Sequence, residues 1–232
     1  MKLPVILLYH SIAADADDRG EPTRISLDQF ERQLDLLRRL GYRTIGLRQL
    51  RDRLAEGAGF GRRELLITFD DGYRDNHDIA WPTLREHGFS AVFFLATAWV
   101  GGVSDYNRHL SLPMISWDQA ADMASQGAEF GSHGQRHVDL RALTPEQAAL
   151  DLRNAKESLM SKLAPQVPSI AYPYGFSSPV VRQLVQQEGY QLGFGVSWTR
   201  NPDRYDLPRM TITRGEPLWR FRLRLLCREL RG

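Results

Sequence analysis

Apolar positions along the chain switch period repeatedly. LLRRLGYRTI, LREHGFSAVFFLA, ASQGAEFG and VQQEGYQLGFGV share one order: a helical spacing of apolar residues, a glycine, then a short apolar run. The spacing fits an amphipathic helix, and the β-branched and aromatic residues that follow fit a strand. Gly41, Gly88, Gly127 and Gly189 stand where helices end on a left-handed residue, which gives four αβ junctions. Ser26, Ser116 and Thr144 are N-cap types, and Thr144 with Pro145 and Gln147 forms a capping box. The pattern predicts helices near 27–40, 75–87, 117–126, 145–163, 178–188 and 216–230. It predicts strands at 4–9, 43–45, 65–69, 91–96, 129–131, 169–172, 191–196 and 209–213.

Strands alternating with helices imply parallel βαβ units. The expected fold is α/β: a distorted or incomplete (β/α) barrel of seven or eight parallel strands, as a single domain over 1–232 whose 210–232 end includes a basic helix. Two polar insertions, 13–24 and 101–113, each follow a strand, so both are expected as loops at strand C-terminal ends that shape a substrate groove.

With 42% hydrophobic and 25% charged residues, the composition is that of a soluble globular protein. A formal charge of +2 argues against a nucleic-acid partner. The single cysteine, Cys227, forms no intramolecular disulfide. No stretch approaches the roughly 20 apolar residues of a membrane span, and the apolar run at the N-terminus is too short for a signal segment. A cytoplasmic location is the expectation.

Asp70 and Asp71 follow a wholly apolar strand directly and precede a glycine. A turn needs one such residue, whereas two adjacent anions repel unless a cation binds between them. His133 and His137 follow another short strand, four apart, so two imidazoles face one ion if the loop turns helically. Two histidines with one carboxylate leave a coordination position open, as catalytic metals require, and imidazole nitrogen favours Zn²⁺, with Co²⁺ or Ni²⁺ as alternatives, over Mg²⁺ or Ca²⁺. His10 ends one further strand, and Tyr172, Pro173 and Tyr174 end another. In a barrel these four strand ends converge on one pocket.

These segments resemble the polysaccharide deacetylases of carbohydrate esterase family four. Thr68–Gly72 (TFDDG) looks like the family's first motif, Ser132-His133 with His137 like its second, and Ala171–Gly175 (AYPYG) like its third. The resemblance implies Asp70 as catalytic base, Asp71, His133 and His137 as ligands of one divalent ion, Tyr172 and Pro173 in the groove wall, and the Tyr174 N–H on the oxyanion. Two departures stand out. The arginine that usually opens the third motif is Ala171 here, so Arg209 is the candidate to brace Asp70. No histidine follows His137, and Leu8-Tyr9-His10 is the match to the family's Leu-x-His motif, which makes His10 the expected general acid. This order resembles the circularly permuted branch that includes poly-N-acetylglucosamine deacetylases. Permutation is cheap because the first and last strands of a closed barrel are neighbours.

The expected activity is metal-assisted removal of an N-acetyl group from a sugar or polysaccharide, with an N-acetylated glycan or glycan precursor as partner. Alternatives are another amide or ester, such as an O-acetyl or formyl group, or a silent carbohydrate-binding homologue. Of Trp99, Trp117 and Trp198, only Trp99 leads from a strand into a loop, and it is the aromatic groove candidate. His87 reads as a helix-end residue, and His77 and His109 as surface or at most substrate-contacting residues. As a helix, the C-terminal WRFRLRLLCRELRG carries a Trp219, Leu223, Leu226, Leu230 stripe. That stripe packs on the barrel or makes a peripheral contact with anionic lipid.

Overall fold

The structure, a computed structural model, describes residues 3–14, 21–106, 111–165, 168–197 and 203–231; His109 and Trp198 lie outside them. Strand β1 (Val5–Tyr9) leads into a small parallel ladder of β2 (Ser11–Ala13) with β3 (Arg24–Ser26), followed by helix α1 (Leu27–Arg39). The chain then alternates β4 (Arg43–Thr44), α2 (Leu47–Glu56), β5 (Glu64–Phe69), α3 (Trp81–Glu86), β6 (Val92–Leu95), α4 (Trp117–Ser125), β7 (Glu129–Ser132) and α5 (Pro145–Lys162). It continues through β8 (Ser169–Ala171), α6 (Pro179–Gln187), β9 (Leu192–Gly195), β10 (Leu207–Pro208), β11 (Met210–Thr211) and α7 (Leu218–Arg231).

Every pairing in the main sheet is parallel, in the order β10-β9-β8-β7-β6-β5-β1-β11, with β4 beside the start of β5. Only Arg209 separates β10 from β11. The segment 207–211 therefore pairs with β9 on one edge, Leu207 opposite Phe194, and with β1 on the other, Met210 opposite Leu7. Counted as one strand, it brings the sheet to a nearly closed parallel barrel of eight strands, within the expected range.

Alternation along the strands sorts the core into two layers. Val5, Leu7, Tyr9, Leu65, Ile67 and Phe69 face the helices, whereas Ile6, Leu66, Phe94 and Phe194 belong to a separate cluster that fills the barrel. Tyr9, Phe69 and Phe93 stack in a row with centroids 5.3 and 5.0 Å apart. Each such buried ring or aliphatic contributes about 1.5–3 kcal/mol. The inward register of β5 runs Leu66, Thr68 and on to Asp70, so a carboxylate emerges at the barrel mouth just past the end of a fully buried strand.

The side chains of Ser26, Ser116 and Thr144 cap α1, α4 and α5, and Gln119 and Gln147 close capping boxes on the last two. Helix α2 was not expected from the pattern. Its N-cap, Gly46, offers no side chain, and Glu129 of β7 instead accepts from the Leu47 N–H at 2.7 Å. The C-terminal stripe also turns out differently from a simple barrel-packing face. Phe221 and Leu225 point into the core, while Trp219, Leu223 and Leu226 point outward. Among the described residues, no helix is long and apolar enough to cross a membrane.

Candidate active site

At the C-terminal ends of the strands lies a cavity of about 410 Å³, with His10, Asp70, Asp71, His133, His137 and Tyr174 in its wall. Successive residues of a strand face opposite sides, so Asp70 and Asp71 would diverge if β5 simply continued. Asp71 instead adopts φ 74°, which swings the chain and brings both carboxylates to the cavity. His137 (φ 56°) and Tyr174 (φ 62°) are left-handed as well. Such conformations cost about 1–2 kcal/mol per non-glycine residue, and strain of this kind gathers at functional sites. Gly72 follows Asp71 at φ 81°, where a Cβ would lie 2.6 Å from Leu95, so only glycine continues this turn.

Asp71 Oδ1 stands 3.4 Å from His133 Nε2 and 3.1 Å from His137 Nε2. One donor atom from each of the three lies within 4.8 Å of the others, and all three residues are buried. His133 Nδ1 sits 2.8 Å from the Ala171 carbonyl oxygen, which can only accept, so Nδ1 carries the proton and Nε2 presents its lone pair. Burial opposes ionisation of Asp71, yet the two imidazoles hold its pKa well below the usual carboxylate range. One carboxylate oxygen and two imidazole nitrogens fit a zinc-like divalent cation with a coordination position left over.

Asp70 lies beside this group with a different partner. Arg209 Nη1 and Nη2 each donate to one of its oxygens at 2.7 Å, and Nη1 lies 3.3 Å from Thr68 Oγ1. Both residues are buried. Burial pushes the Asp70 pKa up, but Arg209 and His133 more than offset it and hold the carboxyl below its ordinary value. The guanidinium comes from the closing segment 207–211, with only β9 between it and β8, where the third motif starts.

His10 faces the same cavity from the end of β1. Burial lowers its pKa, while Asp71 and Asp70 pull the other way. Its Nδ1 has no hydrogen-bond partner among the described residues. Its backbone is held firmly, because Asn76 Nδ2 donates to the His10 carbonyl at 2.8 Å. Asp75 accepts from Ser11 Oγ at 2.5 Å and from the Ile12 N–H at 3.3 Å. Two residues just beyond the Asp70-Asp71 turn thus clamp the strand end that carries His10. Burial raises Asp75 to about 6.

Several expectations need correction. The loop from His133 to His137 is not helical; Gly134 and His137 are left-handed, and Asp151 of α5 straightens it by accepting from the Gln135 N–H at 2.7 Å and from Arg136 Nε at 3.1 Å. Tyr172 does not reach the groove: it is fully buried against Leu140, Val181 and Tyr190, and its hydroxyl donates to the Tyr205 carbonyl at 2.5 Å. Pro173 is buried as well and packs beside Gly134, whereas Tyr174, 55% exposed, stands at the rim with its ring edge-on to His137. Trp99 is not in the cavity wall; its Nε1 donates to the Arg136 carbonyl at 3.2 Å and its ring abuts Tyr106. Tyr106, from the second insertion, and Tyr73 are cavity aromatics that sequence reasoning missed, and Tyr106 stacks on the His137 ring at 4.1 Å. The insertion was legible as a groove wall, but not which of its aromatics would fold inward. Glu21 and Thr23 bring the first insertion to the same cavity.

Comparison with known proteins agrees with this geometry. The family model described as polysaccharide deacetylase matches residues 58–193, more than half of the chain. YxkH of Bacillus subtilis (strain 168), named for the same family, is 30% identical over 217 residues, covering 92% of this chain and 72% of its own. The poly-beta-1,6-N-acetyl-D-glucosamine N-deacetylase of Staphylococcus aureus (strain MRSA252) is 26% identical over 201 residues, 82% of this chain and 68% of its own. The solved structure of IcaB from Ammonifex degensii superposes with a TM-score of 0.79 at 25% identity, covering 95% of this chain and 96% of that one. The matched stretch holds Asp70, Asp71, His133, His137 and Tyr174, while His10 and Arg209 enter from its two flanks. A buried carboxylate beside an Asp-His-His cluster, on a parallel barrel that these relatives share, is accounted for because the chain belongs to the polysaccharide deacetylase family.

Proposed function

We propose that this protein hydrolyses the N-acetyl group of an N-acetylated glycan, releasing acetate and a free amine, with one divalent ion held by Asp71, His133 and His137. The observation that carries the reading is the pairing of two unlike carboxylates in one cavity: Asp71 against two imidazoles, and Asp70 gripped by both nitrogens of Arg209. The donor set favours zinc, with cobalt or nickel next. When bound, such an ion supplies Lewis-acid polarisation of the acetamide carbonyl and of a water. Asp70, kept ionised by Arg209, is placed to take a proton from that water. His10, across the same cavity, is placed to give a proton to the departing amine nitrogen. The carbon–nitrogen bond breaks, and the hydroxyl of water ends on the acetyl carbon. Tyr106 and Tyr174 frame His137 and narrow the approach to the acetyl position. The glycan class rests on the S. aureus relative's name.

The test is acetate release from soluble N-acetylglucosamine oligomers, with an O-acetyl ester glycan in parallel, before and after treatment with a chelator. Release from the amide that stops on chelation and returns with added Zn²⁺ is expected. Release from the ester alone, or release indifferent to chelation, overturns the reading.

A further inference from the structure

Helix α7 has two apolar faces, and only one has a partner among the described residues. Phe221 and Leu225 are fully buried against the barrel, while Trp219, Leu223 and Leu226 are 69%, 52% and 44% exposed. At 3.6 residues per turn these three fall within an arc of about 60°. Leu218 lies at the start of the same helix, so α7 carries four of the ten large apolar side chains exposed among the described residues. Arg222 borders the stripe on one side and Arg220 on the other; both are exposed, and neither has a carboxylate partner among the described residues. The acidic residue of the helix, Glu229, accepts from the Arg63 N–H at 3.3 Å and faces Tyr42.

From this face we propose that α7 is a docking surface for an anionic lipid bilayer, lying in the interface with Trp219, Leu223 and Leu226 immersed and Arg220 and Arg222 at the headgroups. Trp is suited to that boundary, and an apolar stripe flanked by arginines is the composition of an interfacial helix. A second copy of the chain fits worse. A two-fold pairing would set the arginine-flanked stripe against itself, with the helix's one acid, Glu229, already engaged by Arg63 and Tyr42. The start of α7 is fixed to the cavity rim: Arg214 N–H donates to the Pro22 carbonyl at 2.8 Å, and Gln29 bridges Thr213 and Gly215 at 2.9 Å on each side. Glu21 and Thr23, the cavity residues flanking Pro22, are therefore carried with the docked helix. If the deacetylase reading holds, docking brings the mouth of the site to glycans attached at a membrane.

The proposal is tested by flotation of the full chain with vesicles of phosphatidylcholine alone and of phosphatidylcholine with one-third phosphatidylglycerol. Binding only to the second set, weakened by high salt, is expected. Arg220→Ser with Arg222→Ser should weaken binding about thirtyfold, from roughly fivefold per arginine. Trp219→Glu with Leu223→Glu should abolish it without changing the melting temperature. Vesicle binding needs no catalysis, so failure of the deacetylase reading leaves this test intact. No binding, or equal binding to neutral vesicles, overturns the proposal, as does a wild-type dimer that the Trp219→Glu, Leu223→Glu variant splits into monomers.

Discussion

Two carboxylates, one at each end of the barrel, show how differently the same group can be set. Asp70 follows β5 at the C-terminal mouth, buried and gripped by both nitrogens of Arg209, and its pKa is lowered. Glu129 opens β7 at the opposite end, half-buried, with one backbone N–H from Leu47 as its compensation, and its pKa is raised. Burial pushes both upward. A full positive charge reverses that push, whereas a single amide dipole does not. The mouth also holds three of the five left-handed non-glycine residues among the described ones, with Arg63 and Ala164 outside it, while Glu129 serves a helix start. One end is organised for reactivity and the other for stability.

Asp70→Asn breaks the comparison most severely. It should lower acetate release about 10²–10⁴-fold, and because it leaves the buried Arg209 without its counter-charge it should also cost about 3–5 kcal/mol in denaturant unfolding. Arg209→Met comes next. It strands a buried carboxylate and should cost about 3–5 kcal/mol in denaturant unfolding. The stability that Asp70 contributes is present above the ordinary carboxylate range and is lost as pH falls through its lowered folded pKa. Without Arg209 burial prevails, so the acid limb of the activity profile should move to higher pH. The smallest effect belongs to Glu129→Gln, expected to cost about 1 kcal/mol as a weakened helix cap and to leave acetate release unchanged. Its sign is opposite: with a raised folded pKa, Glu129 stabilises most below the ordinary carboxylate range and less as pH rises through its folded value. That decline should vanish in the glutamine variant. Equal pH dependence of stability in the Arg209 and Glu129 variants would erase the distinction between the two ends.

Much of the fold is legible because local signals agreed with one another. Ser26, Ser116 and Thr144 cap helices that the apolar spacing already indicates, and the glycines after α1, α3, α4 and α6 end them in the left-handed region. Helix α2 escaped notice because its cap arrives from Glu129, 82 residues away. The site divides in the same manner. Asp70, Asp71, His133 and His137 announce themselves as charges at the ends of apolar strands. Tyr106 and Asp151 do not, since a tyrosine in an insertion and an aspartate within a helix look ordinary until the loops close over His137. Tyr172 misled because its place in a motif says nothing about which way the ring turns; it packs with Tyr190 in the core.

By itself, the sequence determined the order of elements, the parallel barrel and the residue types available at the strand ends, because periodicity, caps and strand-end charges are short-range properties. Arg209 and His10 were candidates for the Asp70 site, but only the tertiary structure decided that both Arg209 nitrogens close on Asp70 with His10 in the same cavity, and that the outer face of α7 has no partner among the described residues. Those facts depend on the closure of 207–211 between β9 and β1, a pairing across most of the chain that no local window contains.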